Sequence, residues 1–186
     1  MSTAREQILQ TTNMLLEKQG YHGTGLNEIV KESSSPKGSL YHYFPEGKEQ
    51  IVEEAVITSG HETAERIRIG LMESASTSKS VYDFILKIAE QVELSKFAAG
   101  SPLTAVAMET ATKSERINLA CREAYTLLQV AFKNKLIESG YSKSKAEEMA
   151  VFIVASIEGG IILSRTYHTA EPLRLVAKQL KTLLSL

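Results

Sequence analysis

Apolar residues recur every three or four positions along nearly all of this 186-residue chain, and nowhere do they alternate over a useful length. Side chains that share one face at a period of 3.6 fold as amphipathic helices, whereas half-buried strands need a period of two. The fold class is therefore all-α. Ile8, Leu9, Thr12, Leu15 and Leu16 line a first helix that Gly20 ends. Lys48 to about Met72 reads as a long helix with Ile51, Val52, Ala55, Ile67 and Leu71 inward. A serine-rich loop from Ser74 to Ser80 follows, in which Ser78 or Ser80 can cap the next helix and its stripe of Val81, Phe84, Ile85, Ile88 and Val92. Gly100, Ser101 and Pro102 break that helix, and a short one runs from Pro102 to about Thr110. Ser114 opens a long helix to Ser139, Ser142 another through Tyr167, and Pro172 suits the first turn of the last.

Two further segments are too short to be stable helices alone, and they are the most informative part of the chain. In the first, Leu26, Ile29 and Val30 form one apolar side, while Asn27, Glu28, Lys31 and Glu32 face outward. Ser35 before Pro36 then predicts a serine N-cap with proline at the first helical position. Leu40 and Phe44, four apart, anchor the second segment inward. Lys37, Gly38, Ser39, Tyr41, His42 and Tyr43 are left on its remaining surface. Ammonium and phenol groups suit phosphate oxygens, glycine permits close backbone approach, and Ser, His and Tyr reach base edges. Such a pair is a helix-turn-helix, whose second helix enters the major groove of DNA. Pro45 ends it, and Lys48 opens the next helix where it can meet a phosphate.

Gly20-Tyr21-His22-Gly23-Thr24, Ile29, and above all Lys37-Gly38-Ser39-Leu40-Tyr41-His42-Tyr43-Phe44-Pro45 with Lys48-Glu49 resemble the N-terminal signature of the tetracycline-repressor (TetR) family. The extra glycine in Phe44-Pro45-Glu46-Gly47-Lys48, Gly100-Ser101-Pro102-Leu103 with Glu109, and the run Ile157 to Arg165 resemble the subgroup of the lincomycin-resistance repressors. Three features depart from the family pattern. Gly25 stands where a Ser or Thr cap is usual, the turn is Ser33-Ser34-Ser35-Pro36 rather than Ala-Gly-apolar-Ser, and Gly47 adds a residue. The resemblance implies an all-helical homodimer, with a three-helix DNA-binding domain over residues 1–47 and a larger ligand-binding and dimerisation domain over 48–186. It implies contacts to double-stranded operator DNA from Thr24, Gly25, Lys37, Gly38, Ser39, Tyr41, His42, Tyr43 and Lys48. It also implies a small-molecule inducer that controls them.

Composition narrows the alternatives. A net charge of −1 disfavours an architectural protein that coats DNA, although the segment Ser33 to Pro45 holds Lys37 and no acid. The four histidines are scattered, no Cys-x-x-Cys or His-x-x-x-His spacing offers metal ligands, and no phosphate-binding loop or nucleophile elbow is present. Neither catalysis nor a cofactor is expected. Glu6 interrupts any signal-like N-terminus, no apolar run is long enough to span a bilayer, and a lone cysteine fits a reducing cytoplasm.

From Ala150 to Leu163 the chain is apolar almost all round, so every side of that helix needs cover. With Leu173, Leu175, Val176, Leu180, Leu183 and Leu184 it makes a dimerisation bundle, in which Gly159-Gly160 permits close helix approach. A monomeric core helix is the plainer alternative. For a ligand the candidate contacts are Phe84, Ile88, Met108, Ile117, Cys121, Tyr125 and Phe152, with Val92, Phe97 and Leu103 as further walls and Glu109, Asn118, Glu158 and Arg165 as polar groups nearby. No charged cluster suggests a phosphorylated inducer; an apolar, planar aromatic compound is expected, although each of these side chains can equally be core. A helical enzyme or carrier for hydrophobic molecules is the competing class.

Overall fold

The computed structural model describes residues 3–98 and 100–185. Among them are nine helices and no strand: α1 (Ala4–Gly23), α2 (Leu26–Glu32), α3 (Lys37–Tyr43), α4 (Lys48–Met72), α5 (Thr77–Leu94), α6 (Pro102–Thr110), α7 (Glu115–Glu138), α8 (Lys143–Tyr167) and α9 (Glu171–Leu183). The expected all-α class is what the chain adopts. Capping residues fix most boundaries. Thr3 and Glu6 form a reciprocal capping box at α1, Ser101 accepts from the Thr104 amide with Pro102 at the start of α6, and Ser142 caps α8. The cap of α5 is Ser76, not Ser78 or Ser80, so that helix starts earlier than expected.

By packing, the chain forms two compact units, Met1–His61 with Ser101–Tyr125, and Glu62–Gly100 with Thr126–Leu186. In the first, Ile8, Leu9 and Leu15 of α1, Ile29 of α2, Leu40 and Phe44 at α3, and Ile51 and Ala55 of α4 form one buried cluster. Full burial of a side chain such as Leu40 or Phe44 contributes about 1.5–3 kcal/mol each. That is how two seven-residue helices persist. The backbone leaves the helix at Gly20 (φ 71°) before one more turn to Gly23. At Gly20 a Cβ would lie 2.0 Å from Oε1 of Glu109, so the glycine serves both the left-handed turn and the approach of α6 to α1.

In the second unit α5 packs on α9 and α8, and α8 on α9. Val81, Ile85, Ala89 and Val92, with Ile153, Ile157, Ile161, Leu173, Ala177 and Leu180, are buried there. Gly160 faces α9, where an added Cβ would come to 3.0 Å from Leu173, whereas Gly159 meets nothing. Within the protomer, then, Gly160 is the one of the pair that serves a close helix approach.

The turn before α3 departs from its expected chemistry. Helix α3 is capped by Pro36 (ψ 139°) and not by Ser35, whose buried hydroxyl is instead 3.4 Å from the Ser33 carbonyl. Proline cannot be the first helical residue here because its ψ is still extended. Ser34 takes the left-handed conformation (φ 51°), which costs a non-glycine residue roughly 1–2 kcal/mol. Replacing Ser34 with glycine is expected to stabilise the protein by about 0.5–1 kcal/mol, after the larger chain entropy of glycine is subtracted. Thermal denaturation should show a midpoint raised by roughly 1–4 °C. An unchanged or lower midpoint would contradict strain at that turn.

Candidate nucleic-acid interface

Helix α3 is held from below by Leu40 and Phe44, both fully buried, and the Phe44 amide closes the last turn on the Leu40 carbonyl at 2.8 Å. Everything else on it points away from the core. Lys37, Gly38, Tyr41, His42 and Tyr43 are exposed and Ser39 is half-buried; Tyr41 keeps 47 % of its surface. The rings of His42 and Tyr43 meet edge to face with centroids 5.1 Å apart, and Tyr43 meets Phe44 in turn at 6.4 Å. The outward surface thus offers an ammonium, three hydroxyls and an imidazole on a scaffold stiffened by aromatic contacts. No carboxylate lies on α3 itself. This chemistry fits phosphate and base-edge hydrogen bonding.

Two expected contacts are placed otherwise, Thr24 and Lys48. Thr24 is fully buried, and its hydroxyl donates to the Gly20 carbonyl at 2.8 Å, closing the end of α1. Its side chain is structural, which corrects its reading as a DNA contact. Lys48 turns inward: its Nζ donates to the Tyr21 carbonyl at 2.7 Å and sits 4.1 Å from the Tyr21 ring centroid. Burial lowers its pKa, partly offset by the Glu109 carboxylate. The ammonium is engaged in joining α4 to α1 and is not displayed for a phosphate. Gly25 is the exposed N-cap of α2 in an extended conformation, without a side-chain cap, and nothing lies within 4 Å of an added Cβ.

Near this helix Glu46, Glu53 and Glu54 are matched. Arg116 of α7 donates through Nε to Glu53 at 2.6 Å and through Nη1 to Glu46, and both contacts raise its pKa. Arg5 of α1 pairs with Glu54 and lies 5.7 Å from the Phe44 ring centroid. The Glu46 amide donates to Gln50, which donates to Glu54. Sequence reading missed Arg5, Arg116 and this chain of contacts. Only the mixed charge of the segment hinted at it, since nothing local links residue 116 to residue 46.

The seven candidate ligand contacts divide between the two units. In the first unit, Ile117 and Cys121 are packed in the core, and burial pushes the Cys121 thiol up to about 11. Tyr125 is half-buried with its hydroxyl 3.1 Å from that of Thr104, and Met108 is 77 % exposed. In the second unit, Phe84 and Ile88 are half-buried, Phe84 edge-on to Phe132 at 6.1 Å, while Phe152 is exposed. Exposure removes Met108 and Phe152 as walls of an apolar cavity. The second unit instead presents a cleft of about 420 Å³ lined by Phe97, Ile162, Arg165, Thr166 and His168. Phe97 and His168 both adopt left-handed backbone there, and Arg165 Nε donates to the Phe97 carbonyl at 3.3 Å. Phe97 and Arg165 were legible as candidates; the others sit near the end of a helix where no periodic signal singles them out.

Comparison with known proteins matches residues 8–55 to the model for bacterial regulatory proteins of the tetR family, and residues 77–179 to that for the C-terminal domain of LmrA/YxaF-like transcriptional regulators. The chain is 41 % identical over 180 residues to the HTH-type transcriptional regulator YxaF of Bacillus subtilis, covering 97 % of this chain and 94 % of that one. It is 39 % identical over 170 residues to the HTH-type transcriptional regulator LmrA of the same organism, covering 91 % and 90 %. A crystal structure of a regulatory protein TetR from Rhodobacter sphaeroides superposes with a TM-score of 0.84 at 18 % identity, over 97 % of this chain and 98 % of that one. At that identity the likeness is one of fold.

Proposed function

Because this chain belongs to the TetR family of bacterial transcriptional regulators, with an LmrA/YxaF-like C-terminal domain, we propose that it is a repressor that binds a two-fold symmetric operator as a homodimer and is released by a small apolar aromatic molecule. It is a regulator and not an enzyme. The observation that carries the reading is the outward face of α3, where Lys37, Ser39, Tyr41, His42 and Tyr43 are displayed over two fully buried anchors. Gly25 and Gly38 add exposed backbone that a phosphate can approach. In this reading residues 1–47 carry the DNA contacts, and residues 48–186 carry the ligand and the partner.

Dimerisation is supported by an apolar stripe that its own protomer leaves uncovered. Val151, Phe152, Ile162, Leu163 and Tyr167 of α8 are 44–65 % exposed at helical spacing, beside Leu175 and Leu183 of α9. Two copies of this face close a four-helix bundle, and a dimer presents two copies of α3 to successive major grooves about 34 Å apart. Phe152, set aside as a ligand contact, has its place on this stripe. Among the described residues no helix is long and apolar enough to cross a membrane, and we place the protein in the cytoplasm with its DNA.

The test is fluorescence anisotropy with duplex DNA from upstream of the protein's own gene, titrated with apolar aromatic compounds. The expected result is saturable, salt-dependent binding that weakens about 5–150-fold when an effector is present, corresponding to a coupling of roughly 1–3 kcal/mol. A compound that binds without changing DNA affinity would identify a binding protein that is not a switch. Absence of any preference for the upstream duplex over a scrambled one would remove the operator.

A further inference from the structure

The recognition helix is poor in cations and close to acids. Lys37 is its lysine, and the ammonium of Lys48, at the head of the next helix, is engaged by Tyr21. Glu46 stands three residues beyond Tyr43, which places it at most about 11 Å along the chain from a DNA-facing side chain. That is close to a Debye length at physiological salt, so an unmatched carboxylate there would act on a bound phosphate. Glu53 lies seven residues further on, in the second turn of α4. Both acids are held by one guanidinium, Arg116, through Nε and Nη2 to Glu53 at 2.6 and 2.5 Å and through Nη1 to Glu46. Of the two other acids near the head of α4, Glu54 is matched by Arg5, and Glu49, in the first turn, is exposed next to Lys48 in the chain.

The clamp is poorly explained by stability. The side chains of Arg116, Glu46 and Glu53 retain 34 %, 62 % and 27 % of their surface, and ion pairs this exposed contribute little to folding. Its electrostatic consequence is larger. Removing Arg116 would leave two carboxylates beside a helix that carries one lysine, and take a locally neutral set of charges to net negative.

We propose that Arg116 is a positioning residue for operator binding: at the corner between α3 and α4 its charge offsets one of the two carboxylates it holds, Glu46 and Glu53, and Lys37 balances the other, so that phosphate meets these four groups without net negative charge. The inference rests on the reading of α3 as the DNA-contacting helix. It also gives residue 116, inside the LmrA/YxaF-like C-terminal match, a direct effect on the tetR-family N-terminal match through two residues of that segment.

The experiment compares native protein, R116Q, R116Q/E46Q/E53Q and E46Q/E53Q by fluorescence anisotropy on the upstream duplex from 0.05 to about 0.5 M salt, with helicity and melting temperature as controls. R116Q is expected to bind about tenfold more weakly at low salt, with the deficit closing as salt rises and screening shortens. The triple variant should return to within about twofold of native affinity, which a merely structural role for Arg116 would not produce. The double variant, which keeps Arg116 and loses both acids, should bind more tightly than native. R116Q binding like native, or a triple variant as weak as R116Q, overturns the proposal. If R116Q does not fold, the double variant decides: unchanged or weaker binding overturns it. Native protein that prefers no upstream DNA overturns the reading of α3 itself, and Arg116's role with it, before any variant is compared.

Discussion

Replacing Tyr41 or His42 with alanine is expected to abolish operator-specific binding while leaving helicity and assembly intact. Both side chains are exposed on the face of α3 opposite Leu40 and Phe44, so neither contributes to the anchor that holds the helix in place. A good base-edge contact discriminates by about 1–3 kcal/mol, and a two-fold dimer loses it twice. The expected loss is therefore roughly 2–6 kcal/mol, from some thirtyfold to more than ten-thousandfold, with affinity for scrambled DNA nearly unchanged. Lys37→Ala should behave differently. It should weaken binding to all sequences and flatten the salt dependence by about one phosphate contact per subunit. Anisotropy on operator and scrambled duplexes at several salt concentrations separates the two behaviours. Normal operator binding by both the Tyr41 and the His42 variants would mean that α3 is not the reading helix.

Placing arginine at Ile162 or Phe152 should convert the protein to a folded monomer with little operator affinity. These residues are 45 % and 51 % exposed in the protomer, so a guanidinium there is solvated until a partner approaches. Burying it unpaired in a dimer interface costs several kcal/mol per copy. The choice of position matters. Ile161 and Leu180 look equally suitable in the sequence, but they are 8 % and 2 % exposed, and arginine there would disrupt the protomer itself. Light scattering, with circular dichroism as the folding control, reads the outcome. A dimer that survives both substitutions would exclude this face as the interface.

Much of the architecture was legible because Gly, Pro and Ser punctuate strongly periodic segments. The bounds of α4, α6 and α8 and the inward pair Leu40 and Phe44 follow from spacing and caps alone. What sequence left undecided was orientation and distant partnership. Thr24 returns to a carbonyl four residues back, at the kink of Gly20, and Lys48 finds a carbonyl 27 residues away. Met108 was avoidable: Leu103, Val106 and Thr110 define the buried face of α6, and position 108 lies across from it. Phe152 was not, since a helix that is apolar all round carries no periodic clue to which side its own fold covers.

The packing of α6 and the head of α7 with α1 to α4 in one unit has a consequence for anyone who would re-engineer this regulator. Grafting its first 61 residues onto a foreign sensor would strip α1 of the helix it packs on, leave the His22 amide without Glu109, and orphan two glutamates from Arg116. Such a chimera inherits the recognition residues without the scaffold that presents them. Operator preference should transplant more faithfully as a handful of surface substitutions on α3, or as a split cassette that carries residues 101–125 along with the N-terminal helices. The modular boundary of this protein is discontinuous in sequence, and shuffling at a single crossover point would cut through it.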